Sequence, residues 1–337
     1  MLLQPVPPTP QLSCSENHRQ FTSSKDRLMK QIMQWCLAIA LFLGLILWVQ
    51  HDLGWNRVLA AWQLLPAAQV GVFVCLTLLS YLLRAYRVFY LLGRSAAHPF
   101  PPYIRINFLH NALNILIPMR LGEASFPVLM KRTFAMPYSQ SAVGLLWLRL
   151  MDLHWLLLLL SLMLCISFGW IFTLLPVALL MTPLLALRVL HKHRNQLLKS
   201  DVPGSSLRQL VVRLLSYPVP SNAQLARLYL MTAGLWSLKL AVLTLLMLSF
   251  VPIAPLQCML AVISADISSV LPIHGLGGSG TFEAAMVFAL APFGIATSTT
   301  LLAAVNVHIY MLSVILLTVP IALLIAPTAS STVKIHP

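Results

Sequence analysis

The chain has 337 residues, of which 59% are hydrophobic and only 9% are charged. Soluble globular domains carry roughly 25% charged residues, so this composition excludes a water-soluble protein. The net charge of +14 favours contact with anionic lipid at the cytoplasmic face of a membrane, and we expect no nucleic-acid partner.

Polar segments flank one long apolar region. Residues 1–30 have the composition of a disordered cytoplasmic tail, and residues 327–337 form a second, shorter one. Residues 31–326 are predicted to form a single transmembrane domain. The five cysteines are scattered singly, without the paired spacing that a metal site or a disulfide framework requires.

Six apolar stretches are suited to cross a hydrocarbon core about 30 Å thick as helices. They lie at about 32–49, 67–90, 141–168, 170–187, 228–251 and 299–326. Two further apolar segments, at about 104–134 and 255–295, are interrupted in the middle by Pro and Gly. Irregular backbone at membrane depth must be buried in protein or line a wet cavity, so each segment predicts a re-entrant helical hairpin.

Lysines and arginines predict the orientation, because short cytoplasmic loops carry an excess of them. With a cytoplasmic N-terminus, nearly all of them fall on the cytoplasmic side, including the loop at 188–227 and the cluster containing Arg84 and Arg87. Both termini are then cytoplasmic, in a bacterial inner membrane. The two halves become inverted copies of one another, each with a hairpin between two spans, which is typical of transporters. The fold class is thus an all-α, inverted-repeat helical bundle.

Acidic residues in apolar surroundings are costly and by default indicate function. Glu123 closes NILIPMRLGE three residues after Arg120, and Glu283 lies in LPIHGLGGSGTFEAA. Both motifs run from a Pro through Leu-Gly to an acid that opens the next helix. The glycine-rich turn can hold a phosphate or a carboxylate on its backbone N–H groups. The alternative is that both acids only complement their own helix dipoles.

The next apolar run contains LWLRLMDL, in which Arg149 and Asp152 share a helical face. They form either a structural ion pair or a site in which Asp152 orients Arg149 toward a lipid phosphate. Asp266 is expected to pair with Lys239. A polar stripe that includes Asn111 and Asn114 faces a cavity or another helix, and His308 is a secondary candidate for proton transfer.

Enzyme motifs are missing from the sequence. It contains neither HExxH, GxSxG nor a Walker loop, so we expect a protein that is not an enzyme and binds neither cofactor nor metal.

NILIPMRLGE, LWLRLMDL and LPxxGLGGSGTFEAA occur in this order between about residues 70 and 325. In these motifs the chain resembles the membrane-embedded, flippase-like half of bacterial lysylphosphatidylglycerol synthases and its stand-alone relatives. The resemblance implies a region that moves an amphiphile between leaflets. Carried over residue by residue, it singles out six positions: Glu123, Arg149, Asp152, Gly277, Gly278 and Glu283.

The chain departs from this pattern in two ways. It ends shortly after its last predicted span, so we expect a stand-alone member without synthase activity. Where the resemblance implies an Arg in the last span, the sequence VNVHIYML has His308.

The leading hypothesis is a lipid flippase in which Arg120 and Arg149 meet the phosphate of a phospholipid or lipid-linked substrate. Glu123 and Glu283 would bind a cationic headgroup or exchange a proton, and a homo-oligomer is compatible with these features. The alternative is a non-catalytic scaffold or accessory subunit for cell-envelope lipid or polysaccharide synthesis. An intramembrane transferase is a third class, without a recognisable donor or acceptor site.

Overall fold

A computed structural model describes residues 14–94, 98–117, 122–182, 221–269 and 275–326, and the regular elements within these ranges are all helices. The predicted all-α polytopic fold is confirmed. In chain order the main helices are α1 (Cys14–Asp52), α2 (Trp55–Ala60), α3 (Ala67–Leu92), α4 (Pro101–Leu116), α5 (Ser125–Phe134), α6 (Tyr138–Phe168), α7 (Asn222–Leu248), α8 (Pro255–Ser268), α9 (Thr281–Leu290) and α10 (Thr297–Leu324).

Five helices in the described part of the chain, α1, α3, α6, α7 and α10, are long and apolar enough to cross a membrane. They match five of the six predicted spans. The other predicted span, at 170–187, corresponds to the shorter apolar helix Trp170–Thr182, and its remaining residues lie outside the described ranges. Large apolar side chains such as Trp170 and Leu324 are exposed on the outer surface, as expected where helices face lipid.

Two helix ends differ from the boundaries that hydropathy suggests. Helix α1 begins at Cys14, so residues 14–30 are helical where the composition predicts a disordered tail, and neither Pro nor Gly interrupts this stretch. Helix α7 begins at Asn222, six residues before the predicted span at 228, because Ser221 and Gln224 form a capping box. The tail residues 1–13 and 327–337 and loop residues 188–220 lie outside the described ranges.

The two interrupted segments form pairs of short helices in contact, α4 with α5 and α8 with α9. The longest of the four has 16 residues, which gives about 24 Å at 1.5 Å per residue and falls short of a hydrocarbon core about 30 Å thick. Between α8 and α9 the backbone turns through Gly277 and Gly278, with φ angles of 70° and 91° that only glycine adopts readily.

Helix packing relates the two halves of the molecule. One half consists of α3, the hairpin α4–α5 and α6, and the other of α7, the hairpin α8–α9 and α10. The first spans pack together, α3 against α7, while α4 packs against α10 and α8 packs against α6. Exchanging the halves reproduces the same set of contacts, as a repeat predicts. The inversion of one half depends on the crossing at 170–187 and stays a prediction.

Candidate functional site

A cavity of about 320 Å³ lies where the two halves meet, between α3, α4, α6, α7, α8 and α10. The polar lining includes Asn111 and Asn114 of α4. Six charged side chains also line it: Arg84, Glu123, Arg149, Asp152, Lys239 and Asp266. Four of these were candidates from sequence, so the fold brings together residues that are up to 143 positions apart in the chain, from Glu123 to Asp266. Arg120 lies outside the described residues.

Asp152 is bound by Arg87 of α3 in a bidentate ion pair. Nη1 of Arg87 donates to Oδ1 of Asp152 at 2.6 Å and Nη2 donates to Oδ2 at 3.1 Å. Both side chains are buried. Arg87 also donates to the hydroxyl of Thr232 at 2.6 Å, and Trp236 donates to Asp152 at 2.8 Å. Asp152 therefore joins α3, α6 and α7.

The predicted ion pair of Asp152 with Arg149 is also present but longer, with Nη1 at 3.7 Å from Oδ2. A different expectation is corrected. Arg84 and Arg87 were assigned to the cytoplasmic surface, but both lie within α3; Arg87 is buried and Arg84 lines the cavity. An arginine near the end of a span can extend its side chain toward the membrane surface. Arg87 instead pairs with a carboxylate in the neighbouring helix, which is a stronger interaction.

Arg149 pairs with Glu123 at the tip of the first hairpin, Nη2 to Oε1 at 2.9 Å. The amide of Asn114 donates to the same carboxylate oxygen at 3.1 Å. His110 lies next to both, with Nε2 at 3.5 Å from Glu123 and 3.4 Å from Arg149. The stripe on α4 thus contacts Glu123 through Asn114 and lines the cavity through Asn111.

Lys239 of α7 and Asp266 of α8 form the ion pair that the sequence predicts, with Nζ at 2.6 Å from Oδ1. The second oxygen of Asp266, Oδ2, is buried without a hydrogen-bond partner among the described residues. The indole ring of Trp236 makes cation–π contacts with two cations, its centroid 4.7 Å from Nζ of Lys239 and 5.5 Å from the guanidinium of Arg84. Both of these cations line the cavity.

Arg84 differs from the other cavity cations. Within the described ranges, Asp152, Glu123 and Asp266 form ion pairs with Arg87, Arg149 and Lys239, and Arg84 forms none. Its Nε is buried without a hydrogen-bond partner in the same part of the chain. Together with Arg87, which pairs with Asp152 without lining the cavity, the described site has four cations and three carboxylates and so carries one excess positive charge.

Glu283 and His308 lie beside a second cavity of about 160 Å³ that shares Asn114, Lys239 and Asp266 with the first. Oε1 of Glu283 lies 2.6 Å from Nδ1 of His308, and Oε2 accepts the backbone N–H of Gly280 at 2.8 Å. Nε2 of His308 donates to the carbonyl of Gly277 at 3.0 Å. Gly277 and Gly278 line this cavity with their backbone. Glu283 does complement the start of its own helix, and it also binds the last span.

Sequence reasoning missed Arg84, Arg87 and Trp236 as site residues. The available signal was that both arginines fall inside the apolar stretch at 67–90, three residues apart and so on one helical face. Because both arginines were assigned to a cytoplasmic loop, neither was treated as a candidate site residue. Nothing local to Trp236 distinguishes it from the other seven tryptophans.

Comparison with known proteins identifies the family. The family described as the lysylphosphatidylglycerol synthase TM region matches residues 35–318, which include every described residue of both cavities. No curated protein and no solved structure matches the chain. These membrane-spanning helices and this match indicate a membrane protein of lipid metabolism or transport, and the chain belongs to the lysylphosphatidylglycerol synthase transmembrane-region family.

Proposed function

We propose that this protein moves a phospholipid or a lipid-linked amphiphile between the leaflets of the bacterial inner membrane. The headgroup passes through the charged cavity between the two halves while the acyl chains stay in lipid. Anionic lipid at the cytoplasmic face supplies the substrate, both termini are cytoplasmic, and no chemical step takes place on the lipid. Neither a cofactor nor a metal is required.

The observation that carries the proposal is Arg84, which forms no ion pair with any described residue, in a cavity whose other charged side chains are paired. Charged groups inside a membrane are kept where they bind substrates or ions. A phosphodiester has one negative charge and oxygen acceptors that match the planar fork of a guanidinium. The excess positive charge therefore complements one lipid phosphate.

The cavity size is consistent with a headgroup. A volume of about 320 Å³ is roughly that of ten waters at about 30 Å³ each, which accommodates a phosphate and a small alcohol. Asn111 and Asn114 supply neutral hydrogen-bonding groups on the α4 side of the cavity. Arg149, which the sequence analysis placed on the phosphate, is engaged by Glu123, so the phosphate contact is reassigned to Arg84.

The test is lipid translocation by the purified protein in vesicles. Fluorescent phosphatidylglycerol, phosphatidylethanolamine and phosphatidylcholine are placed in the inner leaflet, and their arrival outside is followed by a quencher that does not cross the membrane. Arg84→Gln should slow translocation of the anionic lipid by about tenfold or more, the effect of losing one charge-assisted hydrogen bond. Arg94→Gln, an exposed arginine at the end of α3 that rests on Tyr90, is the matched control and should behave like the wild type.

A second candidate is a scaffold for cell-envelope enzymes, in which the charges only hold the helices together. The buried Arg87–Asp152 and Lys239–Asp266 pairs are the observation that favours it. A scaffold does not need Arg84, which pairs with no carboxylate among the described residues. Vesicles in which the wild-type protein translocates none of the lipids would refute the transport proposal and leave the scaffold.

A further inference from the structure

The contact between Glu283 and His308 requires a shared proton. The Gly277 carbonyl can only accept, so Nε2 of His308 carries a hydrogen and donates it at 3.0 Å. A neutral imidazole would then present a bare Nδ1 to the carboxylate oxygen at 2.6 Å. Two bare acceptors repel at that distance, so one proton lies between Nδ1 of His308 and Oε1 of Glu283.

The surroundings isolate this proton. Glu283 is 1% exposed and His308 is 4% exposed. Among the described residues that line the small cavity, the other titratable groups are Lys239 on α7 and Asp266 on α8, which neutralise one another at 2.6 Å. From α1, Ala38 and Leu41 approach the backbone of the turn at Gly275 and Gly280.

The same contacts hold the tip of the second hairpin. His308 on α10 binds the backbone of the turn at Gly277, and Glu283 binds it at Gly280. Loss of the shared proton to water in the cavity leaves an imidazole with its hydrogen on Nε2 and an ionised carboxylate. The attraction between α9 and α10 at this point then becomes repulsion, and the tip is released from the last span.

We propose that the Glu283–His308 pair is a proton-binding site whose loading and unloading couples proton movement to lipid translocation. The proton binds when the hairpin tip is docked on α10 and leaves when the tip separates from it. The coupling rests on the proposed lipid transport, whereas the proton site itself does not. The cavity that adjoins the pair is continuous in its lining with the cavity of Arg84, since both are lined by Asn114, Lys239 and Asp266.

Glu283→Gln tests the site because glutamine copies the protonated pair. Its amide donates to Nδ1 of His308 and its oxygen accepts from Gly280, but it has no proton to lose. Glu283→Ala removes both contacts and copies the released state. His154→Gln is the control, because His154 lies in α6, binds Tyr229 at 2.7 Å and lines neither cavity.

The first measurement is hydrogen exchange of the backbone amides of residues 275–284, corrected for the intrinsic effect of pH. In the wild type and His154→Gln, protection should fall by about tenfold or more from acid to alkaline pH. Glu283→Gln should stay protected throughout, and Glu283→Ala unprotected throughout. A wild-type tip whose protection is independent of pH would overturn the proton site.

The second measurement is translocation in vesicles with a pH gradient. With one proton for each lipid, a gradient of one pH unit should produce about a tenfold asymmetry of the lipid between leaflets, and a trapped pH dye should report the matching proton flux. Glu283→Gln should stop both. If the wild type translocates lipid independently of the gradient, the coupling is overturned and the proposed function stands. If the wild type translocates no lipid but protection of the hairpin tip still depends on pH, the proposed function is overturned and the proton site stands.

Discussion

Arg87 and Asp152 form a buried, bidentate ion pair between the first and last spans of one half of the molecule, at 2.6 and 3.1 Å. Thr232 and Trp236 of the other half add one hydrogen bond each, to Arg87 and to Asp152. The pair is thus a structural joint between the halves, and it leaves Arg84, one turn away on α3, to face the cavity. Exchanging the halves would place its counterpart between α7 and α10, but no ion pair joins these helices among the described residues, and Lys239 of α7 pairs with Asp266 of α8 instead.

Removing one charged partner of the Arg87–Asp152 pair should destabilise the protein strongly. Asp152→Ala leaves a buried guanidinium without its carboxylate, which costs about 3–5 kcal/mol in comparable cases. The double variant Arg87→Met with Asp152→Leu removes both charges and should recover most of that loss. Thermal unfolding in detergent measures both. Equal losses in the single and double variants would contradict a coupled pair.

Trp236 contributes less than Arg87 to the stability of the contact around Asp152. Trp236→Phe keeps the ring beneath Arg84 and Lys239 but removes the N–H that donates to Asp152. Because Arg87 still binds that carboxylate, we expect a loss of about 1 kcal/mol in unfolding free energy. Trp236→Leu also removes the cation–π contacts and should lose more. A Phe variant as unstable as the Leu variant would show that the indole N–H dominates.

Gly122 allows the first hairpin to close. A Cβ atom at this position would lie 2.4 Å from Cα of Asn114 and 2.6 Å from the carbonyl oxygen of Leu113. Backbone cannot yield as a flexible side chain does, so Gly122→Ala should displace the tip and separate Glu123 from Asn114. We expect a loss of about 1–3 kcal/mol and slower lipid translocation.

Gly234→Ala is the control for this substitution. Nothing lies within 4 Å of its Cβ position, and a helix-interior alanine should stabilise α7 by up to about 1 kcal/mol. Unfolding in detergent compares the two variants. If Gly122→Ala were as stable as Gly234→Ala, the close approach of the hairpin arms would be refuted.

Single cysteines in a cysteine-free background should report the orientation of the halves. Cysteines at Gln63, Trp170 and Ala296, which are exposed at helix ends, should react with a membrane-impermeant maleimide added outside. Cysteines at Ser139 and Asn222 should react only after the membrane is opened. This pattern requires the segment 170–187 to cross the membrane. Labelling of Trp170 and Asn222 from the same side would contradict the inverted repeat.

Sequence reasoning located the two interrupted segments and all four acidic residues at the two cavities because these features are local. Pro and Gly interrupt apolar runs at 104–134 and 255–295, and a carboxylate in an apolar run stands out wherever its partner lies. The Lys239–Asp266 pair was found because a charge on each of two successive helices has few alternatives. Arg149 and Asp152 were paired from their spacing alone. In the fold each forms a shorter ion pair with another residue, Arg149 with Glu123 and Asp152 with Arg87.

The remaining contacts depend on which helices become neighbours. Composition and hydropathy by themselves determined an all-α membrane protein with long spans and two broken segments, since lipid requires each helix to satisfy its own backbone. Only the tertiary structure decided that α3 meets α6 and α7, which buries Arg87 on Asp152 and leaves Arg84 without a carboxylate partner in the described part of the chain. It also decided that α9 meets α10, which places Oε1 of Glu283 2.6 Å from Nδ1 of His308. Partner choice among buried charges is set by the packing of distant helices, and no local pattern encodes it.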